Sequence, residues 1–250
     1  MTRIDEIVDG VYRVATMPED SPISFNQFLI DDDQPALIHT GMAGMYDGVY
    51  NAIRQVLDPA RLAYIILLHF EGDECGGMER FMAQAPGAKV VGCELSAYLN
   101  LNSFGFACQG RILGKRDGEV IDLGQHKLSF LETPHVHHWD SMMLWEGSTR
   151  SLFPSDLFIQ PGDQPPVMRE NLSSAMCELY RHAGIFASED PVRRVVDRVE
   201  GLRPEWIHAM HGGTLTGQIF PRFVSALREQ PFAYHGELLG RVISPKQVVA

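Results

Sequence analysis

Cysteine is scarce and carries no pairing pattern: Cys75, Cys93, Cys108 and Cys177 form neither a CxxC motif nor a disulfide-framework spacing. Reduced thiols in a cytoplasmic protein are expected. Positive charge is also short. Lys and Arg number 21 against 32 Asp and Glu, a formal net charge of −11, so a nucleic-acid backbone is not an expected partner. Long hydrophobic runs are missing too. The longest, Leu62 to Leu68, falls far short of the roughly 20 residues of a membrane span. The acidic start MTRIDEIVDG lacks the apolar centre of a signal peptide. Short-period repeats, heptads and linker tracts are not seen, and no GxGxxG fingerprint suggests a dinucleotide site.

What is present is a globular composition, 250 residues with 45% hydrophobic and 21% charged. One domain over residues 1–250 is expected, with its motifs between about 8 and 215 and an extension, 216–250, suited to self-association as a homo-oligomer. VYRVA, NQFLI and ALIHT read as strands at 11–15, 26–30 and 36–40. Met42, Met45, Val49, Ile53 and Val56 recur at helical spacing, their methionines read as core. Leu62–Leu68 reads as a central strand covered on both faces. A helix around Met78–Gln84 and a strand at Lys89–Gly92 follow. Beyond residue 118 the pattern turns to strands (EVIDL, KLSFLET, SMMLWEG, RSLFPS). A helix at Leu172–His182 comes next, and then a second with Asp190 as N-cap, Pro191 at its first position and a Val192, Val195, Val196, Val199, Leu202 stripe. A last strand spans Trp206–Met210. The fold class expected is α/β, with helices on the outer faces of sheets.

Chemistry concentrates where these strands end. His69-Phe70-Glu71-Gly72-Asp73-Glu74 follows the buried strand directly. In an extended segment, alternate side chains share one side, so His69, Glu71 and Asp73 can converge. Imidazole with carboxylate is a metal-binding vocabulary. Pro134-His135-Val136-His137-His138-Trp139-Asp140-Ser141, Asp156 and His211 each follow another strand. Four strand-end loops offering such groups point to one shared polynuclear site.

With these motifs the chain resembles the metallo-β-lactamase superfamily, in its flavodiiron and oxygen-binding diiron branch. The superfamily's H-x-H-x-D-H becomes H-x-E-x-D in that branch, and this chain reads H-F-E-G-D-E. P-x-x-H-x-x-D-S-M is matched with His137 rather than His138, L-F-x-x-D-x-F with Asp156, and the closing H-G with His211. The resemblance implies an αββα sandwich with its site at one edge between two sheets. It also implies one iron held by His69, Glu71 and His137, a second by Asp73 and His211, and Asp156 bridging both. A bridging oxo or hydroxo ligand would complete a pair of cations about 3.5–4 Å apart. Glu71 in place of an imidazole favours iron or manganese, with zinc able to compete.

Glu74 departs from the superfamily's histidine. It is either an extra oxygen ligand on the second metal or turned away, leaving a water. His135, His138, Trp139, His39 and His208 are candidates for the surrounding shell, with Asp140 as an acceptor for a ligating imidazole. Too few residues follow His211 for a flavodoxin-like domain, so a separate electron donor or a signalling partner is expected. The function expected is binding, and reduction, of O₂ or NO by a non-haem diiron protein. The alternative is a dinuclear hydrolase of phosphodiesters, thioesters or lactones, with Arg111, Lys115 and Arg116 of the Gln109–Asp117 segment clasping a phosphate.

Overall fold

A computed structural model describes residues 1–102, 110–234 and 236; Cys108, Gln109 and, of the 216–250 extension expected in self-association, residues 235 and 237–250 lie outside them. Strands β1 (Thr2–Val8), β2 (Val11–Thr16), β3 (Phe25–Ile30) and β4 (Ala36–Ile38) pair antiparallel in sequence order. β5 (Tyr64–Ile66), β6 (Lys89–Cys93) and β7 (Ile112–Lys115) then add in parallel, completing a seven-stranded sheet in order β1 to β7. Between these strands lie helices α1 (Tyr46–Ile53), α2 (Gly72–Cys75), α3 (Met78–Gln84) and α4 (Glu94–Ser96).

The second sheet has six strands: β8 (Val120–Asp122), β9 (Lys127–Glu132), β10 (Met142–Glu146), β11 (Ser151–Phe153), β12 (Trp206–Ile207) and β13 (Leu215–Thr216). Its order runs from β13 to β8, and β11 pairs parallel with β12 through the connection that carries α5 (Ser173–Ala183) and α6 (Glu189–Leu202). Helix α7 (Phe220–Glu229) packs with α5 and α6.

Strand alternation explains the layering. On β3 and β4, Phe28, Ile30, Ala36 and Ile38 face inward to meet Phe130, Met142, Leu144 and Phe153 of the second sheet. Leu29 and Leu37 face outward against Val49 and Ile53 of α1 and Phe81 of α3. On the far side Leu152 and Ile207 pack on Met176, Tyr180, Val192, Val196 and Phe223. The result is the expected αββα sandwich.

Several boundaries differ from the sequence reading. β1 was not anticipated, because its burial is only partial along its length. β7 occupies what read as a basic loop; it is an edge strand with Ile112 and Leu113 half-buried, and its one charge, Lys115, lies beside Glu119. The N-cap of α6 is Ser188, whose Oγ accepts from Asp190 N at 3.2 Å, so Pro191 sits at the third helical position. Met42 does not belong to the core: a 3₁₀ turn at Ala43–Met45 precedes α1 and leaves Met42 39% exposed. The closing strand stops at Ile207, and residues 208–210 leave the ladder as Met210 O accepts from Asn26 N of the other sheet at 2.8 Å.

One buried charge anchors the second sheet. Glu146, at the end of β10, accepts from the backbone and hydroxyls of Ser148 and Thr149. Burial opposes its charge, yet these donors and His126, 3.8 Å away, hold its carboxyl below the usual range. A carboxyl lowered on folding adds stability above its ordinary value of 4.5, and that stability is lost as pH falls through the folded value. Glu146→Gln is expected to lower the unfolding free energy by about 1–3 kcal/mol at neutral pH. In urea unfolding, the gap to wild type should narrow as the solution is acidified below 4.5; a gap that stays constant or widens would refute the ionic contribution.

Candidate metal centre

Beyond β5 the chain stays apolar through Leu67 and Leu68, then turns polar at His69 where the sheet ends. Glu71 follows in extended backbone, and the single turn of α2 carries Asp73 and Glu74. His137 lies in the β9–β10 loop, Asp156 follows β11 and His211 follows β12. Asp156 stands between two groups. Its Oδ2 lies 2.9 Å from His137 Nε2 and 3.4 Å from His69 Nε2, while its Oδ1 lies 3.4 Å from His211 Nε2. Glu71 Oε2 completes the first group at 3.1 Å from His69 Nε2 and 3.3 Å from His137 Nε2. In the second, Asp73 Oδ2 and Glu74 Oε1 each lie 3.9 Å from His211 Nε2. The donors of the first group, and separately Asp73, Glu74 and His211, lie within 4.8 Å of one another.

The imidazoles are aimed from behind. His211 Nδ1 donates to Ser24 O at 2.9 Å, which turns Nε2 inward. His69 Nδ1 is bonded to Ser155 Oγ at 2.8 Å, and its Nε2 also faces inward. The loop after Asp156 is tied down by the buried Tyr180 hydroxyl, which donates to Asp156 O and accepts from Ile159 N, both at 3.0 Å. Left-handed backbone gathers here: His39, His135, Ser155 and Phe158 have φ of 62°, 66°, 54° and 71°. Side chains with a Cβ rarely occupy that region, and a bulky one such as Phe158 persists only where its surroundings dictate it.

The electrostatics are those of a concentrated anion pool. Burial alone would pull each imidazole down, but the neighbouring carboxylates outweigh it, so His69 is pushed up to about 9, His137 to about 10 and His211 to about 9. His137 and His69 hold Glu71 below the ordinary carboxylate range. Asp156 is held well below it despite burial, by His69, His137 and His211. Asp73 and Glu74 go the other way, raised by burial and by Asp156. Asp156 Oδ1 and Glu74 Oε1 are buried and have no hydrogen-bond partner. Buried carboxylate oxygens left in that state call for a cation. The donor set therefore fits two metal ions, with a carboxylate between them.

The fold thus brings together His69, Glu71, Asp73, Glu74, His137, Asp156 and His211, and leaves other candidates aside. His138 lies next to the group, but its Nδ1 is turned to Asp140 Oδ1 at 3.2 Å. Asp140 takes that imidazole and the amide of Phe70, not the N–H of one of the converging histidines. His135 and Trp139 are exposed. His208 is buried between Ser151 and Thr214 and stacked on Phe153. Cys75 is a half-buried thiol, raised to about 11 chiefly by burial. The cations of the basic segment are engaged elsewhere: Arg111 caps the carbonyls of Met82, Ala85 and Pro86, Arg116 pairs with Glu94, and Lys115 lies 3.6 Å from Glu119. Sequence reasoning missed Ser24, Ser155 and Tyr180, because serine and tyrosine far away in the chain carry no local signal of a supporting role.

Two packed sheets with helices outside, and His and carboxylate groups on the loops at one edge, define a β-lactamase-type metal-binding fold. Residues 23–212 match the family described as ODP family beta lactamase, and the chain belongs to that family. It is 25% identical over 202 residues to rubredoxin-oxygen oxidoreductase of Megalodesulfovibrio gigas, covering 78% of this chain and 50% of the relative. It is 29% identical over 137 residues to a nitric oxide reductase of Moorella thermoacetica, covering 55% and 34%. An anaerobic nitric oxide reductase flavorubredoxin of Salmonella arizonae is 32% identical over 138 residues, 55% and 29%. The chain thus spans half or less of these relatives' lengths. Among solved structures, the rubredoxin oxygen:oxidoreductase of Desulfovibrio gigas superposes with a TM-score of 0.82 at 21% identity, over 92% of this chain and 62% of that one. The flavodiiron protein of Giardia intestinalis gives 0.78 at 18%, over 91% and 58%. Both establish the shared fold.

Tyr180→Phe removes the one group that satisfies both the Asp156 carbonyl and the Ile159 amide. Loss of about 1–3 kcal/mol of unfolding free energy is expected; denaturant unfolding of the variant indistinguishable from wild type would show that the hydroxyl is not the tie.

Proposed function

We propose that this chain is a non-haem diiron protein that binds and reduces O₂ or NO. The observation that carries the reading is the split of Asp156, one oxygen toward His69 and His137 and the other toward His211. In this reading His69, Glu71 and His137 hold the first iron, Asp73 and His211 hold the second, and Asp156 is shared. A carboxylate between two cations offsets their mutual repulsion. Iron is favoured over zinc because carboxylate oxygens outnumber imidazoles across the two positions.

When bound, the metals supply electrons and open coordination positions for a diatomic ligand. The chain's own groups hold and shield that centre. Phe25 meets the His211 ring edge-on at 5.1 Å, and Phe186 meets the His137 ring at 6.2 Å, so apolar walls flank both positions. The hydrogen bonds of His69 and His211 to Ser155 and Ser24 keep the imidazoles oriented, and none of the ligands is required as acid or base. The relatives' names speak for oxygen and nitric oxide reduction rather than for the hydrolase alternative, and the commitment of Arg111, Arg116 and Lys115 elsewhere takes away its phosphate clasp. Electrons would come from a separate donor protein, as the name of the M. gigas relative pairs oxygen reduction with rubredoxin.

Asp156→Ala is expected to lose both irons in metal analysis of anaerobically loaded protein; two irons per chain in that variant would sink the assignment. His137→Ala should lose iron whereas His138→Ala keeps it, and the reverse pattern would shift the ligand by one residue. Admitting O₂ to reduced, iron-loaded protein should produce a new visible charge-transfer band. Iron-loaded protein whose spectrum ignores both O₂ and NO would favour hydrolysis instead.

A further inference from the structure

Among the described carboxylates of the cluster, Glu74 is the one whose side chain is gripped from behind by a residue outside the metal-facing set. Its Oε2 is paired with His39 Nδ1. Leu68 N–H donates to His39 Nε2 at 3.2 Å, so Nε2 is an acceptor and the ring proton must sit on Nδ1, facing Glu74. His39 is fully buried, and its own N–H is held by Ile66 O at 2.8 Å. The next residue grips the Glu74 backbone, with Thr40 N and Thr40 Oγ1 both donating to Glu74 O at 2.7 and 2.9 Å. Gly76 allows this approach: a Cβ there would lie 2.5 Å from Ala43 N. Residues 39–43 therefore clamp the α2 turn and leave Glu74 a single outward oxygen. That oxygen, Oε1, is buried, lacks any hydrogen-bond partner and lies 3.9 Å from His211 Nε2.

A carboxylate whose only role was to accept from His39 would not need its second oxygen buried beside Asp73 and His211, where no donor reaches it. We infer that Glu74, positioned by His39, is a fourth side-chain ligand of the second metal, and that it makes that position the harder of the two and the one where manganese competes best with iron when both are offered. This rests on the diiron reading above. The first position has two imidazoles with Glu71 and Asp156, whereas the second has one imidazole with Asp73, Glu74 and Asp156. Nitrogen donors steepen the preference for Fe(II) over Mn(II), and oxygen donors flatten it. Four carboxylates also balance two divalent cations without a hydroxide. His39 acts through Glu74 and is a positioning residue.

The direct test is a crystal structure of wild-type protein loaded anaerobically with equal Fe(II) and Mn(II), with anomalous data collected at both metal edges. Expected are two metals, manganese enriched at the Asp73–His211 position, and Glu74 Oε1 at a bonding distance of about 2.0–2.2 Å. Two metals with Glu74 beyond bonding distance, or manganese spread evenly, would overturn the inference and leave the diiron reading standing. Fewer than two metals would overturn the diiron reading itself. In solution, Glu74→Gln should weaken one of the two sites at least about tenfold in an anaerobic Mn(II) titration followed by electron paramagnetic resonance, leaving the other unchanged. His39→Phe should weaken the same site, and His39→Gln, which restores an N–H donor, should recover it. Unchanged affinity in Glu74→Gln, or equal weakening of both sites, would exclude the ligand role.

Discussion

The edge of this sandwich is organised around one buried carboxylate, Asp156, set between two clusters of donors. An ionised carboxylate removed from water is costly unless every neighbour compensates it. Here three imidazoles surround it at 2.9–3.4 Å, and they arrive from three different loops. Each needs its far side held, because a free imidazole would rotate. Ser24 holds His211 and Ser155 holds His69, while Tyr180 holds the loop of Asp156. The same compensation makes the cluster suited to cations, since the anionic groups exceed what three histidines can neutralise.

That arrangement demands a rigid frame, and the two-sheet core supplies it. Phe28, Ile30 and Ile38 of one sheet interlock with Phe130, Leu144 and Phe153 of the other, all fully buried. Strand ends of both sheets then come out at one edge at fixed separation. Asn26 stitches that edge: its backbone amide bonds Met210 O, and its side chain bonds the carbonyls of Ala209 and Gly212 on either side of His211. The buried Arg13 adds a bond to Gly212 O at 2.7 Å. The strained backbone at Ser155 and Phe158 sits in the same region, consistent with a frame strong enough to impose unfavourable conformations where side chains must be aimed.

Legibility of the sequence followed the range of the interactions. Helices α3 and α5, and the inner strands β3, β4 and β9, carry their burial pattern in consecutive residues, so period alone located them. The edges were harder. β1 and β7 alternate weakly because each has a neighbour on only one side, and α7 lies beyond the last motif. Ser188 outcompeted Asp190 as N-cap because the cap is decided by which side chain reaches the first free amides, and sequence offers several candidates within two residues. In the His-rich turn, the motif picked His137 over His138, and the structure turns His137 toward Asp156 and His138 toward Asp140.

By itself the sequence determined the chemical vocabulary of the site and its strand-end placement, because an apolar run that turns abruptly to His, Glu and Asp marks where a buried strand emerges. The extended alternation expected of His69, Glu71 and Asp73 holds only to Glu71, since Asp73 lies on the α2 turn and joins the other group of donors. It also determined the layering, since hydrophobic period is a local property of the chain. Tertiary structure alone decided which atoms face one another. Residues 39 and 74, or 24 and 211, meet only after the two sheets close, and hydrogen-bond direction depends on the partner that arrives. For that reason Glu74 was ambiguous in the chain and is specified in the fold: His39 occupies one of its oxygens and burial leaves the other pointing at the second group of donors.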